Sequence, residues 1–365
     1  MKRRKLAKQW FRKHRREIFA LTATVLFFLV AEAAARAFNL VGRPDRDAPG
    51  VSPNLETSII DDPQLFWRFK PNQEMEGDGR YYHINSISLR DHEIAVPKPK
   101  GLYRILSLGE STSFGAGVAD NETYAKVVER MLRERFPERQ WEVVNAGVGA
   151  YSSFQCVKYL ELYGLALQPD MVWLFSGAND GLASYVRNYA NLKDGFGYTD
   201  KELYEVRNRF AGLLRLLNHS DLYKLFKQLQ TGRLLESYGR NVAGREKQLK
   251  QQRVWRPRVP VDDRRENLAR YADLARARRV VPILLLPAYW TSPAHPEDVM
   301  REVAREKKAL LIDLPAALHA SGQFKSCWFA MDEVGGHPNA VGHRLMAETI
   351  AAALFPYFAA QSASN

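Results

Sequence analysis

The chain has 365 residues, of which 46% are hydrophobic, enough for one large domain with an additional segment. Its formal charge of +12 reflects 53 Lys and Arg against 41 Asp and Glu, but nine of the basic residues lie within the first 16 positions. The remaining 44 basic and 41 acidic residues nearly balance, so the sequence predicts no basic face for nucleic acid.

The basic N-terminal segment, residues 1–17, leads directly into an apolar segment. Residues 18–31 carry no charge, and the apolar stretch extends to Ala35 if Glu32 is tolerated within it. Positive charge before an apolar segment holds the N-terminus in the cytoplasm and sends the following chain across the membrane. We therefore expect a single transmembrane anchor over residues 18–38 in the inner (cytoplasmic) membrane, with a periplasmic or otherwise extracytoplasmic body.

A cleaved signal peptide is the alternative to a retained anchor. The uncharged run of 14 residues is shorter than the roughly 20 that a spanning helix needs. Cleavage sites have the pattern small-x-small, which occurs at 31–33 (Ala-Glu-Ala) and at 35–37 (Ala-Arg-Ala). The sequence favours the retained anchor, and both alternatives place the body outside the cytoplasm.

Residues 39–100 are predicted to be a linker and a lead-in to the main domain. The part over 42–65 is rich in Pro, Asp, Asn and Ser, which is typical of a linker. The part over 66–100 has short aromatic and charged pieces and is expected to form small β or irregular structure.

Residues 101–358 show alternating strand and helix patterns. Apolar runs predict strands over 103–108, 141–145, 171–175, 280–286 and 309–314. Helical spacing predicts helices from 124 onward and over 153–165, 262–278 and 340–358. This alternation indicates an α/β fold, a three-layer α/β/α sandwich with a central parallel sheet.

One segment, residues 182–258, is too long for an ordinary connection between strands. It is polar and basic, with an apolar stripe at Phe210, Leu213, Leu214 and Leu217. We expect a helical insertion or a lid near the carboxyl edge of the sheet.

Candidate site residues follow three of the predicted strands, and another precedes the last helix. Ser111 follows the first strand, Gly147 the second and Asn179 the third, and His337 precedes the final helix. In a parallel sheet the carboxyl ends of the strands meet at one edge, so these residues are expected to lie close together.

Such a group can carry out acyl transfer. A serine hydroxyl needs a base within hydrogen-bond distance, and a histidine supplies one. The tetrahedral intermediate needs donors for its oxyanion, for which the N–H groups of Ser111 and Gly147 and the side-chain amide of Asn179 are suitable. Glycine lacks a Cβ, so the backbone at 147 can approach closely.

Four short motifs resemble the four sequence blocks of the SGNH hydrolases, the GDSL-like esterases and lipases. They occur in the same order at 109–111 (Gly-Glu-Ser), 145–147 (Asn-Ala-Gly), 177–180 (Gly-Ala-Asn-Asp) and 337–343 (His-Pro-Asn-Ala-Val-Gly-His). The resemblance covers about 103–355 and implies a flavodoxin-like fold. It also implies that Ser111 is the nucleophile, that Gly147 and Asn179 complete the oxyanion hole and that His337 is the base.

The spacing between the base and the acid that orients it differs from that of the family. The family usually has Asp three residues before His, where this chain has Val334. Asp332 and Glu333 are the nearest carboxylates, and Asp332 is favoured because Gly335-Gly336 could form a bulge that lets it reach His337. The family also has Asp where this chain has Glu110, a position expected to support the loop rather than the chemistry.

Neither a cofactor nor a metal site is expected. The turn at Ser111 lacks the lysine of a phosphate-binding loop, and it is not the Gly-x-Ser-x-Gly elbow of α/β-hydrolases. Two distant cysteines, Cys156 and Cys327, are expected to be buried thiols, with a disulfide as the alternative in an oxidising compartment.

The sequence as a whole predicts a membrane-tethered serine esterase or acyltransferase with a Ser111–His337–Asp332 mechanism. Its substrate would be an O-acyl ester, and an acetylated glycan is accessible in the predicted compartment. The alternative is an SGNH-fold protein without turnover that binds glycans or assists assembly in the cell envelope. The altered spacing before His337 and the basic insertion motivate that alternative.

Overall fold

The computed structural model describes residues 13–38, 40, 58–77, 80–182, 198–209, 212, 217, 219–223, 225, 256–289, 297–329 and 336–362. The chain divides into two compact units. One unit consists of residues 1–50 and 210–245, and the other of residues 51–209 and 246–365. Most of the predicted insertion, 182–258, lies outside the described residues.

The described part of the first unit consists mainly of helix α1 (Arg15–Ala37). Its most apolar 18-residue window has a mean hydropathy of 2.1, and only 6% of that window is buried. At about 1.5 Å per residue, 23 residues extend about 34 Å, enough for a hydrocarbon core of about 30 Å. These properties fit the anchor predicted over 18–38, and a signal sequence near an N-terminus shares them.

The second unit begins with two small antiparallel hairpins. Strand β1 (Ile59–Asp62) pairs with β2 (Phe66–Phe69), and β3 (Gln73–Gly77) pairs with β4 (Arg80–Ile84). Most of their aromatic side chains are buried, so the lead-in packs into the domain core, and β1 belongs to the first hairpin although it lies within 42–65, the part predicted to be a linker.

A five-stranded parallel sheet forms the centre of this unit and confirms the predicted α/β class. The strand order is β6-β5-β7-β8-β9. The strands are β5 (Leu102–Gly109), β6 (Gln140–Gly147), β7 (Met171–Phe175), β8 (Val281–Leu286) and β9 (Leu310–Asp313). In the sheet, Gly109 lies opposite Gly147 on one side and Phe175 on the other. The carboxyl ends of β5, β6 and β7 therefore meet at one edge.

Helices cover both faces of the sheet. They are α2 (Ser111–Phe114), α3 (Tyr124–Arg135), α4 (Ser153–Leu162), α5 (Asp200–Arg209), α6 (Val261–Ala277), α7 (Glu297–Glu306), α8 (Leu314–Ala320) and α9 (Ala340–Ser362). Side chains of α4, α6, α7 and the hairpins form one hydrophobic core, and those of α3, α8 and α9 form the other. Because both faces are covered, the central strands β7 and β8 are continuously apolar.

Local sequence determines where several of these helices begin. The Thr123 hydroxyl caps α3 by accepting a hydrogen bond from the amide of Lys126. Ser152 and Gln155 form a capping box at the start of α4. Helix α7 was not predicted from the sequence. It presents Met300 and Val303 to the first core.

Arg90, which follows β4, is fully buried beneath the turn that contains Ser111. Its Nη1 donates to the carbonyls of Phe114 (2.8 Å) and Gly115 (2.7 Å), and its Nη2 donates to the carbonyl of Val118 (2.6 Å). Its Nε donates to the carboxylate of Asp120 at 2.7 Å. The lead-in thus determines the path of the chain after β5.

We expect Arg90→Lys to lower the free energy of unfolding by about 2–4 kcal/mol. Lysine keeps the charge but cannot donate to three carbonyls in different directions, so buried acceptors lose their partners. Urea unfolding of the full chain in detergent, followed by tryptophan fluorescence, measures the change. Arg130→Lys is the control, because Arg130 makes only an exposed contact with the carbonyl of Asn121. Equal stability of the two variants would contradict the assigned role of Arg90.

Candidate active site

Ser111 is the first residue of α2, two residues after the end of β5. The helix is a single turn, and Gly115 ends it with a φ of +89° while its amide donates to the carbonyl of Ser111 at 2.9 Å. Glycine adopts this left-handed conformation without a steric penalty. The strand and the short helix together place Ser111 at the carboxyl edge of the sheet.

His337 lies next to Ser111, although 226 residues separate the two in sequence. Its Nε2 is 2.7 Å from the Oγ of Ser111. The histidine backbone is held by a hydrogen bond from the amide of Phe329 to its carbonyl and by a β-bridge between Trp328 and Pro338. The structure thus brings the predicted nucleophile and base into hydrogen-bond contact.

Asn339 fixes the segment that carries His337. Its side-chain Nδ2 donates to the carbonyls of Ser326 and Trp328, and its Oδ1 accepts from the backbone amides of Val341 and Gly342. It therefore caps α9 and ties the segment to the preceding turn. The predicted acid, Asp332, and its alternative Glu333 lie outside the described residues.

Asn179 also lies at this edge, immediately after β7. Its Nδ2 donates to the carboxylate of Glu110 at 2.7 Å and to the carbonyl of Tyr151 at 3.0 Å. Both hydrogens of the side-chain amide therefore have protein acceptors. The predicted oxyanion donor can bind a substrate oxygen only by exchanging one of these contacts.

Glu110 is almost completely buried and is the centre of this arrangement. Its carboxylate accepts from the amides of Ala178 and Asn179, from the Asn179 side chain and from the hydroxyl of Tyr289 at 2.7 Å. Burial raises the pKa of Glu110 to about 7, against the opposing effect of these donors, and the nearby Asp180 contributes in the same direction as burial. The residue beside the nucleophile thus positions the segment after β7.

Gly147 occupies the predicted position at the end of β6, but its N–H is not free. It donates to Oδ1 of Asn145 at 3.0 Å. A Cβ at this position would lie 2.2 Å from the amide nitrogen of Phe114 and 2.4 Å from the carbonyl carbon of Ser113. The backbone at Gly147 therefore lies close to another segment, as expected, and that segment is α2, the helix that begins with Ser111.

The turn that follows Gly147 provides other backbone donors. Ala150 has a φ of +59°, and the amides of Gly149 and Ala150 donate no hydrogen bond to the part of the chain that the structure describes. The next carbonyl, that of Tyr151, is the one that accepts from Asn179. This turn was not predicted to be part of the site, and its one signal in the sequence is the second glycine of 145–149.

Two charged pairs support the turn from behind. Arg258 donates to the carbonyl of Ala150 at 2.8 Å and pairs with Asp200 at 2.9 Å. Asp180 accepts from the amide of Ser153 and pairs with Arg264 at 2.7 Å. All four charged side chains are buried, so the edge of the sheet is rigidly held.

Other candidate residues lie outside the site. His343 is buried in the core, where its Nδ1 accepts from the amide of Tyr124, and burial lowers its pKa to about 3. Cys156 and Cys327 are both buried and unpaired, as expected. Within the described ranges, no three His, Cys, Asp or Glu side chains are grouped so as to hold a metal ion.

A model of the GDSL-like lipase/acylhydrolase family matches residues 107–345, more than half of the chain. A search of curated proteins with this chain found no match. Among solved structures, the chain is similar to an α/β hydrolase enzyme from the metagenome of Lake Arreo, Spain, and to the lipase/acylhydrolase from Enterococcus faecalis. Each is 19% identical to this chain with a TM-score of 0.42, and each match covers 69% of this chain. The match covers 94% of the Lake Arreo enzyme and 95% of the Enterococcus faecalis protein. An acetylxylan esterase from Geobacillus stearothermophilus is 17% identical with a TM-score of 0.41, over 68% of this chain and 92% of its own.

The raised pKa of Glu110 predicts a pH-dependent stability. Between about pH 4.5 and 7 the unfolded carboxyl has lost its proton while the folded one retains it, so stability falls as pH rises through this window. The loss for this group is roughly 3 kcal/mol, and Glu110→Gln, which does not titrate, should not show it. Urea unfolding from pH 5 to pH 8 measures the difference between wild type and variant. A difference that is constant with pH would contradict the assignment.

Proposed function

Because the chain belongs to the GDSL-like lipase/acylhydrolase family and is therefore a hydrolase, we propose that it is a serine esterase tethered to the outer face of the inner membrane. One observation carries the proposed mechanism: Nε2 of His337 lies 2.7 Å from Oγ of Ser111. A general base must be within hydrogen-bond distance of the proton that it removes, and this distance meets that requirement.

In the first half of the reaction, Oγ of Ser111 bonds to the ester carbonyl carbon while its proton passes to Nε2 of His337. The carbonyl π electrons move to the oxygen, which becomes the oxyanion. The intermediate then collapses, the bond to the alcohol oxygen breaks, and the alcohol leaves with the proton from His337. This leaves an acyl group on Ser111 and a neutral histidine.

In the second half, His337 removes a proton from water as the water oxygen bonds to the acyl carbon. The bond from that carbon to Oγ of Ser111 then breaks, His337 returns the proton to Oγ, and the carboxylic acid leaves. A sugar hydroxyl in place of water would make the same site an acyltransferase. Asp332 is proposed to orient and stabilise the protonated His337, with Glu333 as the alternative.

The oxyanion needs donors that are free or can be released. The Ser111 N–H and the Asn179 side chain remain our candidates, the latter by giving up its contact with Tyr151 or Glu110. Gly147 was the third, but its N–H is already bonded to Asn145. We therefore assign the third donor to the turn after it, at Gly149 or Ala150. Donors positioned in this way typically contribute about 3 kcal/mol each to transition-state stabilisation.

The proposed location suggests the substrate class. Polysaccharides outside the cytoplasm carry O-acetyl esters that a tethered enzyme could reach. We accordingly propose an O-acyl ester, with an O-acetylated carbohydrate as the first candidate, and no metal or organic cofactor in the reaction.

We expect Ser111→Ala to abolish hydrolysis of a p-nitrophenyl ester series from acetate to octanoate, with acetate the best substrate of the wild type. The full chain in detergent is assayed by release of p-nitrophenol, and acetate release from an acetylated oligosaccharide is measured in parallel. Ser326→Ala, a change on the exposed turn before His337, is the matched control and should be fully active. Equal rates for wild type and Ser111→Ala would instead indicate a binding protein with this fold.

We expect His337→Ala to lower kcat/KM by about 10⁴-fold or more, because the nucleophile loses its base. Asp332→Asn should cost less than His337→Ala, up to about 10⁴-fold, because the base itself remains. The exposed His319 provides the control His319→Gln. If Glu333→Gln were the damaging change and Asp332→Asn were neutral, Glu333 would be the acid.

A further inference from the structure

In the first unit, the carboxylate of Glu32 is the centre of a group of hydrogen bonds that the proposed reaction does not use. It accepts from the hydroxyl of Ser220 (2.6 Å) and from the amides of Asp221 (2.9 Å) and Leu222 (2.9 Å). Arg36, one turn further along α1, donates to Glu32 at 2.7 Å and to the carbonyl of His219 at 3.0 Å. Two charged residues of the helix thus bind four consecutive residues of the insertion.

The position of Glu32 on α1 explains why its carboxylate needs hydrogen-bond donors. Glu32 lies 17 residues after Arg15, about 25 Å along the helix axis, near the far side of a hydrocarbon core of about 30 Å. A carboxylate at such a depth is costly unless it is paired or hydrogen-bonded. Residues 219–222 supply donors for it, and they lie where α1 would leave the membrane.

The insertion on either side of this group has an amphipathic sequence. Apolar residues recur at spacings of three and four, at 210, 213, 214 and 217 and again at 222, 225, 226 and 229. Leu217, Leu222 and Leu225 are only partly buried in the structure. Residues 210–245 contain six Lys or Arg and two Asp or Glu, an excess of positive charge that is attracted to anionic lipid headgroups.

We propose that Glu32 and Arg36 form a docking site that holds residues 219–222 against the anchor helix, so that the partly buried Leu217, Leu222 and Leu225 contact lipid at the outer membrane surface. The inference rests on the proposed membrane anchor but is independent of the esterase reaction. The partner is the bilayer that contains α1, recognised by half-buried apolar side chains and by basic residues near its headgroups.

The docking site also distinguishes the two interpretations of the N-terminus. Cleavage at either small-x-small sequence, 31–33 or 35–37, would separate Glu32 from the body of the protein. The segment at 219–222 would then lose the acceptor for its hydroxyl and two amides. We therefore expect the mature protein to retain α1, and intact mass of the membrane fraction checks this directly. A mature chain that begins after residue 33 or 37 would overturn the proposal.

Hydrogen exchange of the full chain in lipid nanodiscs tests the docking site. In wild type the amides of Asp221 and Leu222 should be protected, and Glu32→Ala should accelerate their exchange about ten-fold or more because their acceptor is gone. Glu17→Ala, at the opposite end of the same helix, is the matched control and should leave them unchanged. Unchanged exchange in Glu32→Ala would overturn the docking site.

Environment-sensitive labelling tests the lipid contact. Both native cysteines are buried, so a fluorescent label can be attached at Leu225→Cys and, as a control at a charged position of the sequence pattern, at Lys227→Cys. The label at 225 should be quenched by brominated lipids in anionic vesicles, and the label at 227 much less. Quenching at neither position would mean that the apolar face packs on protein, which would overturn the lipid contact. Hydrolysis of a soluble ester should be unchanged in Glu32→Ala, so failure of this proposal is distinguishable from failure of the esterase assignment.

Discussion

The position of the nucleophile depends on two buried charged side chains. They provide hydrogen-bond partners for the backbone groups of the two segments beside it. Arg90 donates to the carbonyls that follow Ser111, and Glu110 accepts from the amides that follow β7. Neither group contacts a substrate position in the proposed mechanism. Without them, the turn after β5 and the segment that bears Asn179 would each contain buried polar groups without partners, which cost about 1–3 kcal/mol apiece.

These two groups have different electrostatic environments. Arg90 has a carboxylate partner, Asp120, which is half exposed, and its ring neighbours Tyr82 and Phe114 stack against the guanidinium. Glu110 has only neutral donors in contact, so burial is not offset by a cation and its pKa rises. A carboxyl with such a pKa beside the nucleophile couples the shape of the site to pH, because its acceptor capacity changes when it takes up a proton.

The sequence was sufficient for those features that depend on local pattern and strand order. The apolar runs predicted all five strands of the parallel sheet, and the rule that their ends converge predicted the contact between Ser111 and His337. It was insufficient where a role depends on a partner distant in sequence. Nothing near Arg90 indicates that its guanidinium reaches residues 114–118, and nothing near Glu110 indicates that it binds Tyr289. Gly147 shows the same limit, because a glycine required for close packing and one required for oxyanion binding have the same sequence signal.

The turn over 147–150 contains two glycines that differ in whether they can be replaced. At Gly147 any side chain would collide with the backbone of α2, whereas a Cβ built at Gly149 meets no atom of the described residues within 4 Å. Ala150 already carries a methyl group in the left-handed conformation. A side chain at position 149 therefore needs no movement of α2, whereas one at position 147 would push that helix and Ser111 out of place. Of the two glycines in this turn, only the second can vary in sequence without a change in the position of the nucleophile.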